Sequence, residues 1–189
     1  EDAWRASGAR VTILRGGDFL DTGATGNWFD RVMVAKLKRG VFTYPGPVDR
    51  VHAWAWLPDF ARAAVDLAEI GESVGRFVDM PFPGFSLTGG VMQAALEAAG
   101  GGALRLQRMY WAPVLSMGLV SPLMRWVREM RYLWSMPHRL DTGPFREALP
   151  GFRNAPVADA LRTAIRHQVE PHQAVARRPT LYVGHARIV

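Results

Sequence analysis

Cysteine is absent from this chain of 189 residues, which excludes disulfides and thiolate chemistry and fits a reducing compartment. Lysine is scarce: Lys36 and Lys38 are the only two, so the positive charge is almost all arginine. No apolar run reaches the about 20 residues that a membrane-spanning helix needs. The most apolar stretch, Tyr110–Met124, has 15 residues and is interrupted by Pro113 and Pro122. It is expected to be a buried segment, with an interfacial membrane contact as the lesser alternative. Glu1-Asp2-Ala3-Trp4-Arg5 has neither the basic start nor the apolar run of a signal peptide, and there is no initiator methionine. The expectation is a cytoplasmic chain that begins inside a longer gene. The five histidines are dispersed, and His167 and His172 lack the glutamate of an HExxH pair, so no metal site is expected.

What is present is a globular balance of 49% apolar and 21% charged residues, enough for one domain with a sizeable core. Charge is uneven. Residues 1–100 hold 10 Lys/Arg against 12 Asp/Glu, and residues 101–189 hold 13 against 5. Scattered arginines usually form a solvated surface; the sharper reading is an anionic partner such as a nucleotide phosphate, an acidic lipid or nucleic acid.

Apolar patterning predicts strands alternating with helices, the signature of an α/β domain. Glu1–Gly8 reads as the last turns of a helix. Val11–Leu14 is a continuous β-branched and apolar run, expected to be a strand buried on both faces. Phe19–Asn27 is a glycine-rich loop, and Trp28–Arg39 a helix stopped by Gly40. Strands are predicted at Val41–Tyr44, His52–Leu57, Arg76–Met80 and Leu104–Met109. Helices are predicted over Phe60–Ile70, with Phe60, Ala64, Leu67 and Ala68 on one face, and over Gly89–Ala99, capped by Ser86 or Thr88. Ser121–Ser135 is amphipathic, with Leu123, Trp126, Val127, Met130, Leu133 and Trp134 expected inward. Pro144–Leu149 and Val157–Arg166 are shorter helices. Residues 167–189 lose the pattern and are expected to form an irregular tail.

Two motifs fail on inspection. Gly23 and Gly26 imitate a dinucleotide fingerprint, but no strand leads directly into the loop and Phe29 stands where the third glycine must allow close packing. A tyrosine and lysine one helical turn apart, which would lower the phenol pKa, is also missing: Val48, Val114, Met136 and Ala186 stand four positions after the tyrosines. By contrast, Trp28, Tyr44, Trp54 and Trp56 crowd one short region. Most are expected in the core, but one or two lining a cavity would favour a flat or apolar ligand, with Asn27 and His52 as polar anchors.

The order of buried strand, Arg-Gly-Gly-Asp-Phe, loop, helix, Tyr-Pro-Gly-Pro, His-Ala-Trp-Ala-Trp-Leu-Pro-Asp and alanine-rich helix resembles the extended short-chain dehydrogenases, the NAD-dependent epimerase/dehydratase family. The likeness begins just after that family's catalytic Tyr/Lys helix and runs over residues 1–166. It takes in His138-Arg139-Leu140-Asp141 and Leu149-Pro150-Gly151-Phe152. It implies an α/β fold: the C-terminal part of a Rossmann-type doubly wound sheet, plus a small α/β substrate-binding lobe with a helical C-terminal end. It further implies that Arg15, Gly16, Gly17, Asp18 and Phe19 approach the nicotinamide of NAD or NADP. Asn27, Trp28, Tyr44, Arg50, His52 and Trp54 would then line the substrate side. Asp59 matches a family aspartate, with capping of its own helix as its expected role.

The implied protein is an NAD(P)-dependent epimerase, dehydratase or reductase acting on a small molecule such as a nucleotide sugar, aldehyde or ketone. This chain would supply the substrate lobe, would need an N-terminal dinucleotide-binding half as its partner, and would be inactive alone. Two alternatives are a non-catalytic redox sensor of the same fold, and an arginine-rich nucleic-acid-binding module.

Overall fold

The computed structural model describes residues 1–71 and 75–169. A short helix α1 (Asp2–Ala6) leads into strand β1 (Val11–Arg15). β1 pairs in parallel with β5 (Phe77–Pro81), with Val11 opposite Phe77 and Arg15 opposite Pro81. Each strand of this two-stranded sheet has one neighbour, so β1 is half-buried or exposed along its length instead of buried on both faces as its composition suggests. An apolar run shows that a strand can be covered; the cover itself must come from elsewhere.

The second sheet is the centre of the molecule. Its middle strand β4 (Val51–Trp56) lies parallel to β2 (Asp18–Leu20) and antiparallel to β6 (Phe85–Thr88). Strand β2 occupies what the glycines suggested was loop from Phe19 onward. A neighbour on either side leaves β4 buried from His52 to Trp56. Its two faces differ: Trp54 and Trp56 enter the larger core, while Ala55 enters a smaller one with Ala63, Leu67, Met80, Phe82 and Phe145. A third sheet pairs β3 (Val41–Tyr44) in parallel with β7 (Arg105–Arg108).

The segment expected to be one helix over Trp28–Arg39 is broken into a π-helical turn, Phe29–Met33, and a 3-10 turn, Leu37–Arg39. It ends at Gly40, whose φ of 66° lies in the left-handed region that favours glycine. Helix α2 (Leu57–Ile70) starts three residues before the expected Phe60, with Pro58 in its first turn, where its missing N–H costs nothing. Its buried stripe is Asp59, Ala63 and Leu67, whereas Ala64 and Ala68 are exposed, one position off the expected face. Together with Leu67 they flank a groove of about 320 Å³ shared with Arg10, Thr12 and Leu14 of the β1 region. The start of α2 has no side-chain cap hydrogen bond, so Asp59 does not cap its own helix as expected and acts elsewhere. Its side chain accepts a hydrogen bond from the Ala155 amide at 2.7 Å and pairs with Arg62 at 2.8 Å, tying α2 to the segment before the last helix.

Thr88 caps α3 (Gly89–Leu96), accepting the Val91 amide at 3.2 Å. The chain then forms α4 (Ala112–Met117), α5 (Pro122–Glu129), α6 (Arg131–Ser135) and α7 (Gly143–Ala148). The final helix α8 (Val157–Val169) buries Ala160, Leu161, Ala164 and Ile165. Residues 167–169 thus extend a helix instead of opening a tail, and 170–189 lie outside the described residues.

Two expectations fail together in 110–136. The apolar stretch from Tyr110 contributes no buried residue to α4 or α5, and of the face expected inward on 121–135 only Trp134 is buried. Leu123, Trp126, Met130 and Leu133 are exposed, because helical periodicity defines a face without specifying what covers it. Among the described residues no helix is long and apolar enough to cross a membrane.

Candidate functional site

The turn from β1 to β2 is built by close approach. A Cβ on Gly17 would run into the Ala53 carbonyl of β4, and one on Gly16 would meet the rings of Phe19 and Phe60. Both glycines therefore let this turn pack against its own chain. Arg15 extends from the end of β1 to Asp79 of β5 at 2.7 Å and to Glu1 at 2.8 Å. These contacts, Asp79 first, hold the guanidinium still more firmly in its charged form. Phe19 stands edge-on to Phe60 at 5.1 Å.

Asp18 lies opposite Trp54 in the β2–β4 register. Burial raises its carboxyl above the ordinary range, and the nearby His138 pulls it partly back. Beyond Asp18 lies an aromatic and histidine cluster. His52 is fully buried, stacked on Trp134 at 4.7 Å and edge-on to His138 at 4.6 Å. Tyr44 meets His52 at 6.2 Å and Trp134 at 5.7 Å, and Trp54 meets Trp134 at 6.1 Å. Trp28 is sandwiched between Trp111 and Trp134, with ring centroids 6.1 and 6.2 Å away.

Neither ring nitrogen of His52 makes a well-formed hydrogen bond among the described residues, although the Trp134 carbonyl lies close enough to act weakly on the ring, and the Tyr44 hydroxyl, the Trp28 and Trp54 indole nitrogens and His138 Nδ1 have no partner among them. Buried polar atoms left this way are uncommon and mark a place where polar matter belongs. Burial, and next His138, lower His52 to about 4, while the Trp134 carbonyl pulls weakly the other way. The ring is thus neutral at pH 7. Burial, assisted by the charge of Asp18, pushes the Tyr44 hydroxyl up, so it stays protonated. At neutral pH Tyr44 and the indoles offer hydrogen-bond donors, and His52 offers a neutral imidazole.

Of the expected substrate-side residues, Trp28, Tyr44, His52 and Trp54 converge around Trp134. Asn27 and Arg50 do not. Both ends of the Asn27 amide are engaged, accepting the Asp30 amide at 3.0 Å and donating to the Phe19 carbonyl at 3.4 Å. Arg50 is exposed in the turn before β4. Sequence reasoning missed the partners from the other side: Trp111, Trp134 and His138. The burial of Trp134 follows from helical periodicity, but its position against β4 depends on a tertiary contact, the His138 amide donating to the Val51 carbonyl at 2.9 Å.

A separate cleft of about 470 Å³ opens between the loop after β5 and α7, with Pro83, Phe145, Arg146, Arg153 and Asn154 in its walls. Asn154 Nδ2 donates to the Pro83 carbonyl, closing one end. Among the described residues no cluster of acidic or histidine side chains could hold a metal ion.

No protein-family model matches this sequence. No curated protein matches it either. Solved structures do. A human epimerase family protein, crystallised with NADPH, superposes with a TM-score of 0.60 at 16% identity, over 83% of this chain and 48% of that one. UDP-glucuronic acid 4-epimerase from Bacillus cereus, in complex with UDP-glucuronic acid and NAD, gives 0.59 at 14% identity, over 84% and 45%. L-threonine 3-dehydrogenase from Trypanosoma brucei gives 0.58 at 13%, over 82% and 44%. At such identities the likeness concerns the fold, and the chain spans about half the length of each. This chain therefore shares its α/β fold with about half of each of these epimerase and dehydrogenase structures.

Proposed function

We propose that this chain is the substrate-side part of an NAD(P)-dependent epimerase, dehydratase or reductase, and that residues 1–166 act together with a dinucleotide-binding half supplied by a longer protein. The observation that carries the reading is the placement of the turn Arg15–Phe19. It sits at the carboxyl ends of the parallel β1–β5 pair, where open α/β sheets bind ligands, and it runs directly into the cluster of unpartnered polar atoms on β3 and β4. The open edge of β1 and the groove between β1 and α2 leave apolar surface for the rest of such a domain.

The fit to NAD(P) is one-sided. The turn can present backbone to a nicotinamide, but the spaces that Gly16 and Gly17 leave are already filled by Phe19, Phe60 and Ala53. The phosphates must therefore be held by residues outside this chain's turn. When bound, the dinucleotide would exchange hydride with a substrate carbon. The residues described here hold and shield that substrate. Tyr44 and Trp54 donate hydrogen bonds, neutral His52 donates or accepts, and the Trp111–Trp28–Trp134 stack excludes water. A ligand whose reacting part is uncharged and polar, such as a carbonyl or a sugar ring, suits this set. Asn27 and Arg50 serve the loop and the surface.

The test is NAD(P)H oxidation with a panel of aldehydes, ketones and nucleotide sugars, using the 189-residue chain and the product of the whole reading frame. The chain alone is expected to be inactive and the longer product active. Robust turnover by the chain alone refutes the half-site assignment. Dinucleotide binding by the longer product without turnover favours the redox-sensor alternative, and the absence of binding refutes both.

A further inference from the structure

The segment 110–136 carries a surface that the proposed activity does not use. Tyr110, Leu119, Val120, Leu123, Trp126 and Met130 are more than half exposed, and Val120 is 85% exposed at the tip between α4 and α5. They run from just before α4, across the α4–α5 corner where the two helices pack together, to Met130 at the end of α5. The opposite side of α5 carries Arg125 and Arg128, both exposed and without an ion pair among the described residues. Arg131 follows, its guanidinium 6.0 Å from the Trp111 ring. Glu129 is the only acidic residue between 110 and 136.

We propose that this corner is a peripheral membrane-binding surface, laid on anionic lipid with Leu119, Val120, Leu123 and Trp126 in the interface and the arginines at the headgroup phosphates. An amphipathic surface with an aromatic and aliphatic face and an arginine-bearing polar face is the arrangement that interfacial helices use. The arginine excess decides between occupants. A second copy docked on the apolar face would cover it but leave Arg125 and Arg128, on the far side of α5, without anions, since each copy brings a single glutamate in this segment. A phospholipid surface supplies the missing anions, and Trp and Arg are both suited to its boundary. Nucleic acid would satisfy the arginines but not the apolar tip.

The experiment is co-sedimentation of the full chain with phosphatidylcholine vesicles and with vesicles containing about 30% phosphatidylserine. Binding is expected to the anionic vesicles only, falling steeply as salt rises from about 0.1 to about 0.5 M. Each arginine near the surface contributes roughly fivefold, so Arg125→Gln with Arg128→Gln is expected to weaken binding about 25-fold. Val120→Glu with Leu123→Glu should abolish it. All four sites are exposed, and an unchanged thermal transition verifies the fold of each variant. Equal binding to neutral vesicles, or no binding to either kind, overturns the proposal. So does a concentration-dependent dimer in sedimentation velocity that V120E/L123E makes monomeric. Salt-dependent binding to a single-stranded oligonucleotide without vesicle binding overturns it in favour of the nucleic-acid alternative. Each result is independent of whether the chain belongs to a dehydrogenase.

Discussion

His52→Phe should make this protein markedly less sensitive to acid. His52 is fully buried against Trp134 and His138, and its pKa is lowered from 6.5 to about 4 by burial first and by His138 second. Between those two values the unfolded chain takes up a proton that the folded chain refuses. Stability is then fully present above pH 6.5 and falls by about 1.4 kcal/mol per pH unit on acidification. The loss should total about 3 kcal/mol before levelling off near pH 4, a large share of the stability of an ordinary domain. Asp18 works against this trend: its raised carboxyl takes a proton in the folded state first, which favours folding as pH falls. Because Asp18 is present in both proteins, the difference between wild type and variant isolates the histidine.

At neutral pH the substitution also removes two buried ring nitrogens without well-formed hydrogen bonds, which offsets the strain of fitting a larger ring. Urea unfolding from pH about 7.5 to about 4 is the assay, with the midpoint and slope read at each pH. The two stability curves should lie close together at the top of the range and diverge by about 3 kcal/mol at the bottom. Parallel curves would show that His52 keeps its ordinary pKa in the folded protein, and the account of a buried, neutral His52 would fall.

Two further substitutions probe the supports of the site. Gly17→Ala drives a methyl group into the Ala53 carbonyl and should cost at least about 3 kcal/mol or prevent folding; a urea midpoint like that of wild type would mean that β2 and β4 are less closely apposed. Asp59→Ala leaves the Ala155 amide without its acceptor and removes one of the partners of Arg62, which also donates to the Arg153 carbonyl, and should destabilise by roughly 2 kcal/mol, with Asp59→Asn recovering part of the loss; equal melting of all three proteins would reduce this bridge to a surface contact.

Local elements were largely legible in the sequence. The strands at Val41–Tyr44 and Val51–Trp56, the helix α2 and the Thr88 cap follow from short-range chemistry; the two strands lie within a residue of expectation, while α2 starts three residues early and α3 ends three residues early. What the sequence hid was the identity of each neighbour. Val11–Arg15 looks buried because it is apolar, yet pairing on one side leaves it half open. The stripe Leu123–Trp126–Met130 looks inward for the same reason and faces out. Tyr44, His52 and Trp54 were recognisable as a crowded aromatic region. Their meeting with Trp134 and His138, 80 or more residues later, depends on a long-range contact that no local pattern encodes. Asp59 shows the converse: a helix-start aspartate whose neighbours in sequence suggest a cap, and whose partner in space is the Ala155 amide.

The alternation along β4 has a mechanical consequence. Its indoles belong to the larger core and Ala55 to the smaller one, while the Ala53 carbonyl bears directly on Gly17. The strand is thus a rigid partition shared by two compartments. Because close-packed interiors transmit strain, a ligand or mutation that shifts Trp54 by a fraction of an ångström displaces the whole strand and presses on the Gly16–Gly17 turn on its other side. On the proposed function, occupancy of the aromatic cluster would therefore reach the shape of that turn through one β-strand, with no hinge or moving loop required.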